Sequence, residues 1–103
     1  MSHEFEMGAE AMRAFRKLRA NEVSQVRRAL DILKIEPQGE SFEYQLMSQN
    51  SKQMIYRYRT TVAFIVYSVS KEEEKRVIVT NILPFKKKLT KEKSGALSDL
   101  KLS

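Results

Sequence analysis

At Gly39 the spacing of apolar residues changes from about 3.6 to 2, and this switch constrains the chain more than any other feature of it. Helices are expected before it and strands after it. From Ala9 to Arg19, the apolar Met12, Phe15 and Leu18 recur every third position between Arg13, Arg16, Lys17 and Arg19, the pattern of an amphipathic helix with a basic outer face. Asn21 suits the N-cap of a second helix, because its short side chain accepts from free N–H groups of the next turn. Val23, Val26, Leu30 and Leu33 form that helix's buried stripe, and Arg27, Arg28, Asp31 and Lys34 form its wet side. Pro37 and Gly39 stop it. With a connection of about two residues, the two helices are predicted to form an antiparallel hairpin.

Beyond Gly39, Phe42, Tyr44 and Leu46 alternate with Glu43 and Gln45, which predicts a strand with one buried face. Ser48-Gln49-Asn50-Ser51 reads as a turn. In the next run Met54, Tyr56 and Tyr58 point one way, and Ile55, Arg57 and Arg59 the other, so one face suits a core and the opposite face presents guanidinium groups. Val62 to Tyr67 is apolar on both faces and marks a central strand. Lys71 to Lys75 reads as a solvated hairpin connection, and Arg76 to Leu83 as a final strand ending at Pro84. Glu4 to Met7 alternates too, as a short first strand. The expected class is α+β: an N-terminal strand and an α-helical hairpin packed on a mainly antiparallel sheet of four to five strands. One domain over residues 1–85 is expected, followed by a basic C-terminal tail, 86–103, with Lys86, Lys87, Lys88, Lys91 and Lys93.

Composition narrows the chemistry. A chain of 103 residues that is 42% hydrophobic and 31% charged suits one compact domain with a modest core. It has no cysteine, which excludes disulfides, thiolate nucleophiles and cysteine-based metal sites, and His3 is its one histidine, so no metal site is expected. The longest apolar run, Val62 to Tyr67, is far short of the roughly 20 residues that span a bilayer, so no membrane is expected as a partner. Met1-Ser2-His3-Glu4 has neither a basic nor an apolar leader region, so a cytoplasmic protein is expected. The net charge of +6 suits an acidic partner or a nucleic acid.

The run from Tyr56-Arg57-Tyr58-Arg59 to Phe64-Ile65-Val66-Tyr67 resembles the central strand pair of the RelE/ParE toxin superfamily. Phe5 to Leu18 resembles that family's opening strand and first helix, and Ala29 to Pro37 its second helix, so the likeness spans roughly residues 4–84. The resemblance implies a bacterial toxin of a toxin–antitoxin system, without a cofactor, whose partner is a cognate antitoxin. It further implies either a ribosome-dependent mRNA interferase or, as the alternative, a non-nucleolytic module directed at DNA gyrase or another protein or nucleic acid. Arg57 and Arg59 stand where the family's third strand carries basic residues, and Tyr67 matches the aromatic at the end of the fourth. Phe64 stands where the nuclease branch has an arginine, and Leu83-Pro84-Phe85 where it has a Gly-His-Arg or Gly-Lys-Arg type sequence.

Metal-free RNA cleavage needs a base for the 2′-OH, charge stabilisation at the phosphate and an acid for the leaving oxygen. Arg57 and Arg59 suit the second role, since guanidinium groups fork onto phosphate, and they are the candidate catalytic residues. They suit equally a solvated face paired with carboxylates such as Glu43. With Lys86, Lys87 and Lys88 they form a candidate nucleic-acid-binding set, although the lysines suit a solubility tail as well. Tyr44, Tyr56 and Tyr58 share the phase of Phe42, Leu46 and Met54, and Tyr67 shares that of Ile65 and Val69, which favours core over base stacking for all four.

Overall fold

The computed structural model describes residues 4–72 and 76–85. In chain order it comprises β1 (Glu4–Met7), α1 (Ala9–Arg16), α2 (Ala20–Ile35), β2 (Tyr44–Gln49), β3 (Gln53–Arg59), β4 (Ala63–Ser70) and β5 (Arg76–Pro84). The sheet runs β1-β5-β4-β3-β2, with β1 parallel to β5 and every other pairing antiparallel. This is the expected α+β arrangement. Parallel neighbours need a long crossover, and here the helices and three strands separate β1 from β5. Among the described residues no helix is long and apolar enough to cross a membrane.

The doubly apolar run becomes the middle strand. On one face of β4, Ala63, Ile65, Tyr67 and Val69 are wholly buried against Val77, Val79 and Ile82 of β5 and against Ala11, Val26 and Leu33 of the helices. The helices therefore cover one sheet face, and β1 lines the same side through Phe5 and Met7.

Four local expectations need correction. The first helix ends at Arg16, and its buried arc is Ala11, Ala14 and Phe15, continued by Leu18; Met12 lies outside that arc and is exposed. Residues 11, 15 and 18 are spaced i, i+4, i+7 and share a helical face, whereas a strict three-residue spacing drifts off it. The second helix starts one residue before Asn21. Its N-cap is Arg19, whose backbone N–H donates to the Glu22 carboxylate at 2.8 Å, so an acid one turn in does the capping. Finally, Phe42 precedes β2 instead of joining it and is 80% exposed. β2 then runs on through Gln49, and the turn falls at residues 50–52, where Asn50 Oδ1 accepts from the N–H groups of Lys52 and Gln53.

The exit from α2 is fastened to the sheet by tyrosines. Tyr67 Oη donates to the Pro37 carbonyl at 2.6 Å, Tyr44 Oη donates to the Glu36 carbonyl at 2.7 Å, and Gln38 Nε2 donates to Tyr56 Oη at 3.2 Å. Tyr56 stacks on Tyr67 with centroids 5.6 Å apart, and Tyr44 meets Tyr58 edge to face at 4.9 Å. Gly39 completes the fit, because a Cβ there would come within 3.0 Å of three atoms of the Tyr44 ring.

Burial pushes the Tyr44 hydroxyl up to about 12, reinforced by Glu36, and it raises Tyr58 and Tyr67 as well. The fold thus favours the neutral phenols. Their contribution is fully present below the unfolded value of about 10 and is lost as pH rises through the folded values, so stability should fall between about pH 10 and about pH 12. Denaturant titrations across that range check this; a curve flat to pH 12 is the contrary result. Tyr67→Phe leaves the buried Pro37 carbonyl without its donor and should cost about 1–3 kcal/mol in the same titration at neutral pH.

Candidate nucleic-acid interface

The sheet face away from the helices is built by the alternate residues. Arg57 pairs across β3 and β4 with Val66, and Arg59 with Phe64, so both arginines and the Phe64 ring share that open face as strand alternation requires. Phe64 lies beneath both guanidinium groups. Its ring centroid is 4.1 Å from Arg57 Cζ and 5.5 Å from Arg59 Cζ. Phe85, just past β5, meets Phe64 edge to face at 4.9 Å and lies 5.1 Å from Arg59 Cζ.

The polar contacts complete the cluster. Arg57 Nη2 donates to Gln45 Oε1 on β2. The Arg59 backbone N–H donates to the Glu43 carbonyl at 2.9 Å and anchors the segment before β2. The ion pairs among the described residues are Arg13–Glu10, Lys34–Asp31 and Arg76–Glu4, so neither Arg57 nor Arg59 is held by a carboxylate. Arginines lying on aromatic rings keep their charge and their outward N–H donors available to an anion.

A hollow of about 360 Å³ opens over this cluster, lined by Phe42, Glu43, Gln45, Arg57, Arg59 and Phe64. It can bind phosphate through the guanidinium groups and stack a base on an exposed ring such as Phe42. Glu43 is its one carboxylate among the described residues. The tyrosines supply no acid or base here. Tyr67 is wholly buried on the helix side and spends its proton on Pro37, and Tyr44 faces the same side and donates to Glu36. Among the described residues no group of His, Asp and Glu could hold a metal ion.

Both predicted arginines are therefore brought together on one face. Lys86, Lys87 and Lys88 lie outside the described residues. Sequence reasoning missed Phe42, Phe64, Gln45 and Phe85 as members of the site. The available signal was Phe64 itself, which alternation places opposite Arg59 once β3 and β4 are paired in register.

No protein-family model matches the chain, and no curated protein matches it by sequence. Among solved structures it is similar to the archaeal RelE of the RelE–RelB complex from Pyrococcus horikoshii, with a TM-score of 0.69 and 21% sequence identity, over 82% of this chain and 96% of that one. The fold is RelE-like.

If Phe64 holds the arginines, a double-mutant cycle of Phe64→Leu with Arg57→Ala should give a coupling of about 0.5–1 kcal/mol in chemical denaturation, the scale of an exposed cation–π contact. Strict additivity would deny the interaction any energetic content.

Proposed function

We propose that this RelE-like fold serves a RelE-like toxin: its open face engages single-stranded RNA, with messenger RNA on the ribosome as the target, and an antitoxin protein holds it in check. The observation that carries this reading is the pair of guanidinium groups on the open face, supported by phenylalanine rings and unpaired with any carboxylate among the described residues. In this role Arg57 and Arg59 neutralise the charge that builds on a phosphate as its ester bond breaks. Glu43 stands in the same hollow, but no second acid–base group accompanies it among the described residues. With no second acid–base group among the described residues, we expect the chain alone to leave free RNA intact. The partner reading draws on the RelE structure, which is that of a complex with RelB.

A second reading is favoured by the apolar residues of the cluster. Phe64, Leu83 and Phe85 give the open face an apolar floor that suits a protein target, and DNA gyrase is that target in the non-nucleolytic branch of the family the sequence resembles.

Induced expression in a bacterial host separates the two. The first reading expects growth arrest together with loss of translated messages, while purified chain leaves naked RNA uncut. Arrest with intact messages, accompanied by inhibition of gyrase supercoiling in vitro, would establish the second instead. RNA binding has its own signature: on a single-stranded oligonucleotide, reversing Arg57 and Arg59 together should lower the log–log salt slope by about one to two units, at about 0.7 per phosphate contact. Reversing Arg13 and Arg16 on α1 should do much less. Equal losses from both double variants would reduce the interface to net charge.

A further inference from the structure

Phe42 is 80% exposed, and no other ring packs against it among the described residues. Its backbone is nonetheless fixed. The bond from the Tyr44 N–H to the Ser41 carbonyl at 3.1 Å closes the turn that carries it, and the bond from the Arg59 N–H to the Glu43 carbonyl ties that turn to β3. What sets Phe42 apart from a stray exposed side chain is the pair of hollows it separates. Together with Glu43 and Arg59 it lines both the open-face hollow of about 360 Å³ and a second one, of about 460 Å³, against α2. Both volumes fall within the range of ligand pockets, about 300–1,000 Å³.

The lining of the second hollow suits a flat ligand with apolar faces and polar edges. Ala29 and Ile32 give it an apolar wall, and Ile32 is 39% exposed there. Gln25 and Thr61 bring groups that both donate and accept hydrogen bonds. Three guanidinium groups follow the course of the two hollows: Arg57 lines the first, Arg59 lines both, and Arg28 lines the second. None of the three is in an ion pair among the described residues.

We infer that the two hollows take successive nucleotides of one single strand, with the Phe42 ring wedged between their bases. The inference rests on the RNA reading above and extends its interface from the open face, around Phe42, to α2. Stacked nucleotides advance by about 3.4 Å, one ring thickness, so a ring set between two bases doubles the gap to about 7 Å and replaces one base–base stack with two base–ring stacks. A single strand opens that gap without breaking base pairs, whereas a duplex must first unpair. Arg59 then faces the phosphate that joins the two nucleotides, and Arg57 and Arg28 face the phosphates on either side of it. Glu43, bordering both hollows, offers its carboxylate to an N–H on the edge of a base.

The test uses the full chain and a short single-stranded RNA in which 2-aminopurine, a base whose emission is quenched by stacking on a neighbouring base, lies next to a purine. At saturating protein, emission should rise as the wedge parts the two bases. Phe42→Ala should bind about tenfold or more weakly, the equivalent of one lost base stack, and should give no rise at its own saturation, while Phe42→Tyr should keep both properties. Arg28→Gln should lower the log–log salt slope of binding by about 0.7, and Arg13→Gln should leave it unchanged. Phe42 is exposed, so an unchanged denaturant midpoint in Phe42→Ala is expected and separates a lost contact from a lost fold.

An equal rise in emission with Phe42→Ala would overturn the wedge, and equal slopes for Arg28→Gln and the parent would overturn the path along α2. A dimer of the chain in sedimentation that Phe42→Ala dissociates and RNA does not would give the second hollow to another copy and reject the nucleotide as its occupant. The two readings fail separately. Binding that depends on Arg57 and Arg59 but is indifferent to Phe42 and Arg28 removes the two-nucleotide path alone; no binding of the strand at low salt removes the RNA reading and the path with it.

Discussion

The buried hydrogen bond from the Tyr67 hydroxyl to the Pro37 carbonyl is the joint between the two halves of the molecule. Pro37 ends α2 and is itself buried, so its carbonyl must find a donor inside the protein, and the middle strand of the sheet supplies one. Tyr44 repeats the arrangement one residue earlier at Glu36, and Gln38 ties the following residue to Tyr56. Three consecutive residues at the end of α2 are thereby registered against three strands. The helices can cover only one face of the sheet once their exit is fixed there, and the other face is left open.

That division decides which groups are available for chemistry. All four tyrosines lie on the covered face, where burial holds Tyr44, Tyr58 and Tyr67 in their neutral form far above physiological pH. The open face receives the residues of opposite phase, including Arg57, Arg59 and Phe64. A one-residue slip in the β3–β4 register would exchange the two sets, burying guanidinium groups and exposing phenols. The core packing of Tyr58 against Ile65 and of Tyr56 against Tyr67 therefore also fixes where the cations stand.

Periodicity carried most of the architecture. The apolar run from Val62 to Tyr67 marked the middle strand, of which the face of Ala63, Ile65 and Tyr67 is buried and that of Phe64 and Val66 half-exposed, and the alternation from Met54 to Arg59 separated core tyrosines from outward arginines. Where it misled, a local hydrogen bond outweighed the pattern. Glu22 reaching back to the Arg19 N–H starts α2 ahead of Asn21, and the bond from the Tyr44 N–H to the Ser41 carbonyl closes a turn in which Phe42 cannot keep strand phase. The aromatic part of the candidate site was illegible for a different reason. Phe64 and Phe85 are 21 residues apart in sequence, and their contact exists only because β5 returns alongside β4.

Phe64 matters because of what it leaves uncancelled. An exposed arginine can be held in place by a carboxylate or by an aromatic face, and the two hold it about equally, at up to about 1 kcal/mol each. They differ in the field that remains. A carboxylate partner makes a neutral pair that attracts an approaching phosphate weakly, whereas a phenylalanine orients the guanidinium groups and leaves both positive charges intact. At this site the ring lies beneath Arg57 and Arg59 together, so two like charges share one support and face the same way. Their mutual repulsion is offset by the ring and by the Gln45 oxygen, and it is relieved further by any anion that comes between them. The two guanidinium groups of the open face are thus held by neutral groups, and their positive charge stays uncancelled.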